Sequence, residues 1–184
     1  MRTIFVKELM VPIGEYATVP PEANLYEAIL ALEKAQLAFD PLKHKHRSIL
    51  VLNREKNVVG KLDMFDILMA LEPKYGELEA TGVLSRSGYS PEFIKSILKD
   101  NVLWSEPLQY ICNRAPNLKV SDFMEVPADG VYIEENATLD QAIHQLVVCR
   151  YQSLLVTKNE KVVGILRLSD VFTETCAKIK TCEF

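Results

Sequence analysis

The chain has little of what would mark a membrane, secreted or nucleic-acid-binding protein. Nowhere do about 18 apolar residues follow one another, the run a membrane-crossing helix needs. Glu8 stands within a few residues of Met1, so no signal peptide is visible, and a cytoplasmic address without membrane contact is the expectation. The four cysteines, Cys112, Cys149, Cys176 and Cys182, form no C-x-x-C pair and no zinc-ligand spacing, which favours reduced thiols over a metal or disulfide framework. A net charge of −4 and a pI near 5.5 withhold the basic surface on which nucleic-acid binding normally depends. The phosphate-cradling and dinucleotide glycine loops, H-E-x-x-H and G-x-S-x-G are all missing. No catalytic signature therefore points to turnover.

The composition that remains is that of a folded protein. A hydrophobic share of 48% and a charged share of 25% lie near globular averages, and 184 residues fit one compact module better than two independent ones. The dominant feature is an internal repeat. Val6-Lys-Glu-Leu-Met10 matches Val120-Ser-Asp-Phe-Met124 at an offset of 114 residues. The same offset carries Ala23-Asn-Leu-Tyr-Glu-Ala-Ile29 onto Ala137-Thr-Leu-Asp-Gln-Ala-Ile143 and Leu32 onto Leu146. Beyond that the offset falls to 105, pairing Ser48-Ile-Leu-Val51 with Ser153-Leu-Leu-Val156, so the first copy holds nine extra residues, including Lys43-His-Lys-His-Arg47. After one more residue is absorbed in a turn, Val58-Val-Gly60 meets Val162-Val-Gly164 and Asp66 meets Asp170.

Local chemistry predicts the same elements in both copies. Asn24 with Glu27, and Thr138 with Gln141, have the spacing of a helix N-cap and its reciprocal partner. Leu25, Ala28, Ile29 and Leu32, like Leu139, Ala142, Ile143 and Leu146, then form one apolar stripe at helical spacing, expected to face a core. Two β-rich runs follow in each copy, Ser48 to Leu52 with Val58 to Leu62, and Ser153 to Thr157 with Val162 to Leu166. Polar turns at Asn53 to Lys56 and around Asn159-Glu160 make each pair a hairpin. Met10, Met64 and Met69 read as gap-fillers of a core.

Residues 73–119 are too many for a plain connector. Ser90-Pro91-Glu92 and Ser105-Glu106-Pro107 both look like helix starts, the second leading through Leu108, Ile111 and Cys112 to a stop at Pro116. Gly76, Gly82 and Gly88 predict a turn-rich stretch ahead of them, and Trp104, the only tryptophan, reads as an anchor onto the neighbouring core.

Taken together, these residues resemble the cystathionine-β-synthase (CBS) family, whose repeats run strand, helix, strand, strand, helix and occur as pseudo-symmetric tandem pairs. The resemblance rests on Met10 and Met124, Asn24-Leu-x-x-Ala28 and Thr138-Leu-x-x-Ala142, and Val-Val-Gly-x-Leu followed by Asp66 or Asp170. It implies an α/β (α+β) fold of two CBS repeats, residues 1–72 and 120–184, related by a pseudo-two-fold axis with a helical insert at 73–119. It also implies a non-catalytic regulatory module that binds an adenosine-containing ligand, of the AMP, ADP, ATP or S-adenosylmethionine class, between the repeats. No cofactor is required, and a homodimer and a regulated protein partner are expected. The alternative is a ligand-free scaffold for dimerisation or protein interaction.

Ligand-binding members of the family follow the motif glycine with Ser or Thr three residues on and Asp three further, hydroxyl and carboxylate holding a ribose. This sequence keeps only the carboxylates: Gly60-Lys-Leu-Asp63-Met-Phe-Asp66 and Gly164-Ile-Leu-Arg167-Leu-Ser-Asp170 put Asp63 and Arg167 in place of the hydroxyl. Asp66 and Asp170 either clamp a cis-diol or merely satisfy first-turn amides. By resemblance, His46 and Arg47, just before a strand, would meet phosphates, a role that suits the arginine fork; a solvated basic loop is the other reading. Thr18 and Val19 complete the candidate ligand-binding set. His44 and His46 lack a third ligand, so no metal is expected.

Overall fold

The computed structural model describes residues 3–40, 44–72 and 110–181. The first copy contributes β1 (Val11–Pro12), β2 (Thr18–Val19), α1 (Leu25–Ala38), β3 (Ser48–Leu52), β4 (Val58–Asp63) and α2 (Met64–Ala70). A short α3 (Ile111–Arg114) precedes the second copy, which contributes β5 (Tyr132–Glu134), α4 (Leu139–Cys149), β6 (Ser153–Lys158), β7 (Lys161–Arg167) and α5 (Leu168–Lys180).

The helices begin where their caps stand. The Asn24 side chain accepts from the Glu27 amide and the Glu27 carboxylate accepts from the Asn24 amide, both at 2.9 Å. In the second copy Gln141 accepts from the Thr138 amide at the same distance. These bonds satisfy donors that a helix start otherwise leaves open. The copies differ at the other end. Arg150, with φ 53°, stops α4 in a left-handed cap, whereas α1 runs three residues past the equivalent point before the chain crosses at Phe39. That extension and the loop behind it are the nine-residue insertion.

Each hairpin carries a parallel third strand. β2 pairs with β3 and β3 with β4, while β5 pairs with β6 and β6 with β7. Both hairpins shift register at the same place, between Val51 and Leu52 and between Val156 and Thr157. Asn159 and Glu160, with φ 49° and 64°, form a two-residue turn whose handedness suits the strand twist.

The leading segments are exchanged. Val6 donates its amide to the Ala137 carbonyl at 2.9 Å, and Leu139 donates to Ile4 at 2.9 Å, so residues 4–7 seal the start of α4 in the other copy. Reciprocally, Val120 donates to Ala23 and Leu25 to Leu118, both at 2.8 Å. Every one of these positions maps onto its counterpart at the offset of 114, which is what a pseudo-two-fold axis requires. Accordingly Val6 is buried among Ile133, Leu146 and Leu166, and Val120 among Val19, Ile49 and Leu62. β1 extends the same exchange by pairing antiparallel with β7.

Several expectations need adjusting. Leu25 and Ala28 are fully buried, but Ile29 is 41% exposed, because α1 rests on its sheet along a narrower face than the stripe suggests. Met64 is exposed on the outer side of α2 instead of filling a core; Met10 does pack against the second core. Of the helix predicted after Ser105, the described residues hold Ile111–Arg114, and Pro116 lies within a 3-10 turn, Ala115–Asn117, that continues it. The helix predicted at Ser90, the stretch at 74–89 and Trp104 lie outside the described residues. No helix among the described residues is long and apolar enough to cross a membrane.

Candidate functional site

The exchange of leaders creates two pseudo-equivalent clefts, each flanked by the start of a hairpin-following helix from one copy and the chain before the central strand of the other. The first cleft lies by the start of α2 and takes Tyr151 from the second copy. The second lies by the start of α5 and takes His46 from the first. The symmetry thus separates residues that are near in sequence: His44 and His46 of the first copy meet Arg167, the partner of Asp170, and not Asp66.

The second cleft is filled. Arg167 is 5% exposed, and its Nε and Nη2 bind the two oxygens of Asp170 at 2.5 and 2.8 Å. Nη1 donates to the His44 carbonyl at 2.6 Å and stands 3.4 Å from His46 Nδ1. An arginine can only donate, so that contact makes Nδ1 the acceptor and puts the ring proton on Nε2. The guanidinium lies over the Phe39 ring at 5.3 Å, and the fully buried His46 ring is wedged between Phe39 and Tyr16 at 4.2 and 4.4 Å. Burial, reinforced by the Arg167 charge, pushes the His46 pKa below its ordinary value, so the ring is neutral at neutral pH. Among the described residues its Nε2 has no hydrogen-bond partner of good geometry, although the nearby Glu15 backbone favours the protonated ring. Tyr16 shares a buried 2.7 Å hydrogen bond with Ser48 and, above all through burial, holds its proton more tightly than usual.

The first cleft is built differently at every equivalent position. Asp63, the counterpart of Arg167, turns back to cap α2, accepting from the Phe65 and Asp66 amides at 2.8 and 3.0 Å. Asp66 accepts from the Asp63 amide through Oδ2 at 2.7 Å, leaving Oδ1 unengaged among the described residues. Gly130 replaces Tyr16, and a β-carbon there would stand 3.5 Å from the Tyr151 hydroxyl, so the tyrosine reaches into the room that the glycine leaves. Tyr151 shares a narrow cleft with Lys61, Glu125, Pro127 and Val131. Lys61 and Glu125 pair through both backbone bonds at 2.9 Å and through a 3.7 Å side-chain contact. Burial, with the Asp63 and Glu125 carboxylates adding to it, raises the Asp66 pKa to about 6 against the pull of the Asp63 amide and Lys61.

The structure therefore brings His46, Arg167 and Asp170 together in one cleft, and Asp63 with Asp66 in the other. Arg47 is exposed beside the second cleft. Val19 is core, packed with Ile49 and Leu62, while Thr18 points from the opposite face of β2 and is half-buried. His44 bonds Thr173 at 2.9 Å while His46 faces Arg167, so the two histidines diverge. Among the described residues no three potential metal ligands gather. Lys61, Glu125, Tyr16 and Phe39 were not among the residues singled out from sequence. One signal was available for the first two: at the repeat offsets they oppose Ile165 and Val11, a charged pair where the other copy has an apolar one.

These features define a class: a tandem α/β repeat pair with an interlocked core and a cleft at each place where the start of a helix in one copy meets the chain of the other. The family model for the CBS domain matches residues 6–73 and 120–175, and the chain belongs to the CBS domain family. It is a CBS-pair module. The CBS-pair protein CBSX2 from Arabidopsis thaliana superposes with a TM-score of 0.60 at 15% identity, covering 98% of this chain and 100% of that one. CBSX2 in complex with AMP gives 0.59 at 18% identity over 96% and 98%. A CBS-domain-containing protein from Agrobacterium tumefaciens gives 0.57 at 19% identity over 95% of each. No curated protein matches the sequence.

Proposed function

We propose that the module is regulatory and binds an adenosine-containing ligand in the first cleft, with Asp66 holding the ribose and Tyr151 against the base. The observation that carries this reading is the oxygen of Asp66 left unengaged among the described residues at the start of α2, where a carboxylate accepts a diol. Lys61, together with Arg150 next to Tyr151, supplies positive charge for a phosphate or carboxylate. An AMP complex is known for the CBSX2 neighbour, which makes AMP the first probe. The proposed role is binding and not turnover.

The expected result is a rise in melting temperature with AMP in thermal-shift assays, because a ligand that binds only the native state stabilises it by mass action. Asp66→Asn keeps the acceptor for the Asp63 amide but loses the charge, and the shift disappears. Since Asp66 titrates at about 6, AMP affinity rises between pH 5 and 7 as the carboxylate ionises. An unchanged response in Asp66→Asn would rule the site out.

The same α2 carries an apolar outer face. Met64 and Leu68 are 53% and 60% exposed, and their counterparts on α5, Leu168 and Phe172, are 36% and 66% exposed. We assign these two exposed apolar faces to a homodimer, since a symmetric partner would take both out of water and a ligand at the start of α2 would bear directly on one of them. Light scattering on the eluting protein should give twice the chain mass, and Leu68→Lys with Phe172→Lys should give the monomer. A wild-type chain that elutes as a monomer contradicts the dimer.

A further inference from the structure

We propose that Arg167 is a built-in occupant of the second cleft, so that the chain holds one ligand site instead of two and carries the second in a latent state. The inference deepens the adenosyl-binding reading of the first cleft and rests on it for the ligand class. Three observations support it. First, both oxygens of Asp170 are bound by the guanidinium, so the carboxylate equivalent to Asp66 has no unengaged oxygen to turn toward a diol. Second, the guanidinium is held in place: Nε, Nη1 and Nη2 each donate to a partner, and Phe39 covers a face. Third, the remaining room is taken by rings the first cleft lacks. Tyr16 stands where the first cleft has Gly130, and Phe39 belongs to the insertion and has no counterpart.

The latent site nevertheless keeps a binding site's parts. Asp170 stands at the third residue of α5 as Asp66 does in α2, and the basic residues Lys45 and Arg47 are exposed beside it. What differs is the residue three before the aspartate. Arg167 occupies the N-cap position of α5 without giving a side-chain cap, and a threonine there would cap the helix and free Asp170 from the guanidinium, leaving it placed as Asp66 is, with one oxygen open. Arg167 is thus the residue that sets how many ligands one chain accepts.

Calorimetric titration with AMP tests this on the wild-type chain, Arg167→Thr and Asp66→Asn. The expected stoichiometry is one AMP per chain for wild type, two for Arg167→Thr and none for Asp66→Asn. Two equivalents in wild type, or one in both wild type and a folded Arg167→Thr, overturn the inference while leaving the first cleft intact. No binding by wild type with one equivalent in Arg167→Thr removes the first-cleft reading and keeps the inference; no binding by either removes both. Should Arg167→Thr fail to fold, Asp66→Asn decides alone: one equivalent remaining there shows the second cleft already open.

Discussion

Asp170→Ala is expected to destabilise the module by about 3–5 kcal/mol, the cost of stripping a buried charge of its partner. The guanidinium of Arg167 cannot escape to water, since its side chain is 6% exposed and Phe39 and His46 enclose it. Nor can it shed its charge, as an arginine stays protonated throughout the accessible pH range. Only the His44 carbonyl and the longer contact to the neutral His46 ring would remain to it. For a chain of this size that loss lowers the melting temperature by roughly 10 °C, and urea unfolding followed by circular dichroism measures it directly. Removing the other partner is milder. Asp170 alone sits in the first turn of α5, where backbone amides tolerate a carboxylate, and it is more accessible than Arg167. Asp170→Ala combined with Arg167→Met leaves no orphaned charge and recovers most of the loss, which the double-mutant cycle reads as a large coupling. A cost below 1 kcal/mol for Asp170→Ala would mean that the pair is solvated and the second cleft open.

The framework was legible in the sequence because its causes are local. Asn24 with Glu27 announces a helix start, and short β-rich runs on either side of the polar turns at Asn53 and Asn159 announce hairpins; both are present in the structure. The site was legible only in part, because its causes are non-local. Asp66 and His46 lie in one copy, and nothing in the sequence tells which aspartate His46 accompanies; the exchange of residues 4–12 and 118–125 between the copies places it opposite Asp170. Departures from the family motif carried real information whose meaning needed geometry. Asp63 and Arg167 replace the same hydroxyl, but one caps its helix and the other reaches across to fill a cleft. Phe39 offered no signal at all, since an aromatic residue inside an insertion has no repeat partner to compare with.

The exchange also explains the two glycines of the repeat and makes their replacement unequal. A β-carbon on Gly164 would stand 2.6 Å from the Val11 carbonyl oxygen and 3.1 Å from Met10 Sδ. The first obstacle is backbone, and it belongs to the strand that pairs Pro12 with Gly164 and Val11 with Ile165. Gly164→Ala must therefore push β1 off β7 and loosen the grip of residues 4–12 on the second core. Overpacking of this kind costs about 1–3 kcal/mol, and the lost strand pairing puts this variant at the upper end. At Gly60 the obstacle is different: the added carbon would collide with the Met124 side chain, chiefly its sulfur. A thioether with three rotatable bonds can turn aside, so Gly60→Ala costs less, about 1 kcal/mol. Shortening the obstacle then separates the two mechanisms. Met124→Ala relieves Gly60→Ala, giving a favourable coupling in urea denaturation, whereas Met10→Ala leaves Gly164→Ala as unstable as before because the Val11 carbonyl has not moved. If both methionine truncations rescued equally, the leader of the first copy would be held on β7 by side chains alone and not by the β1–β7 backbone ladder.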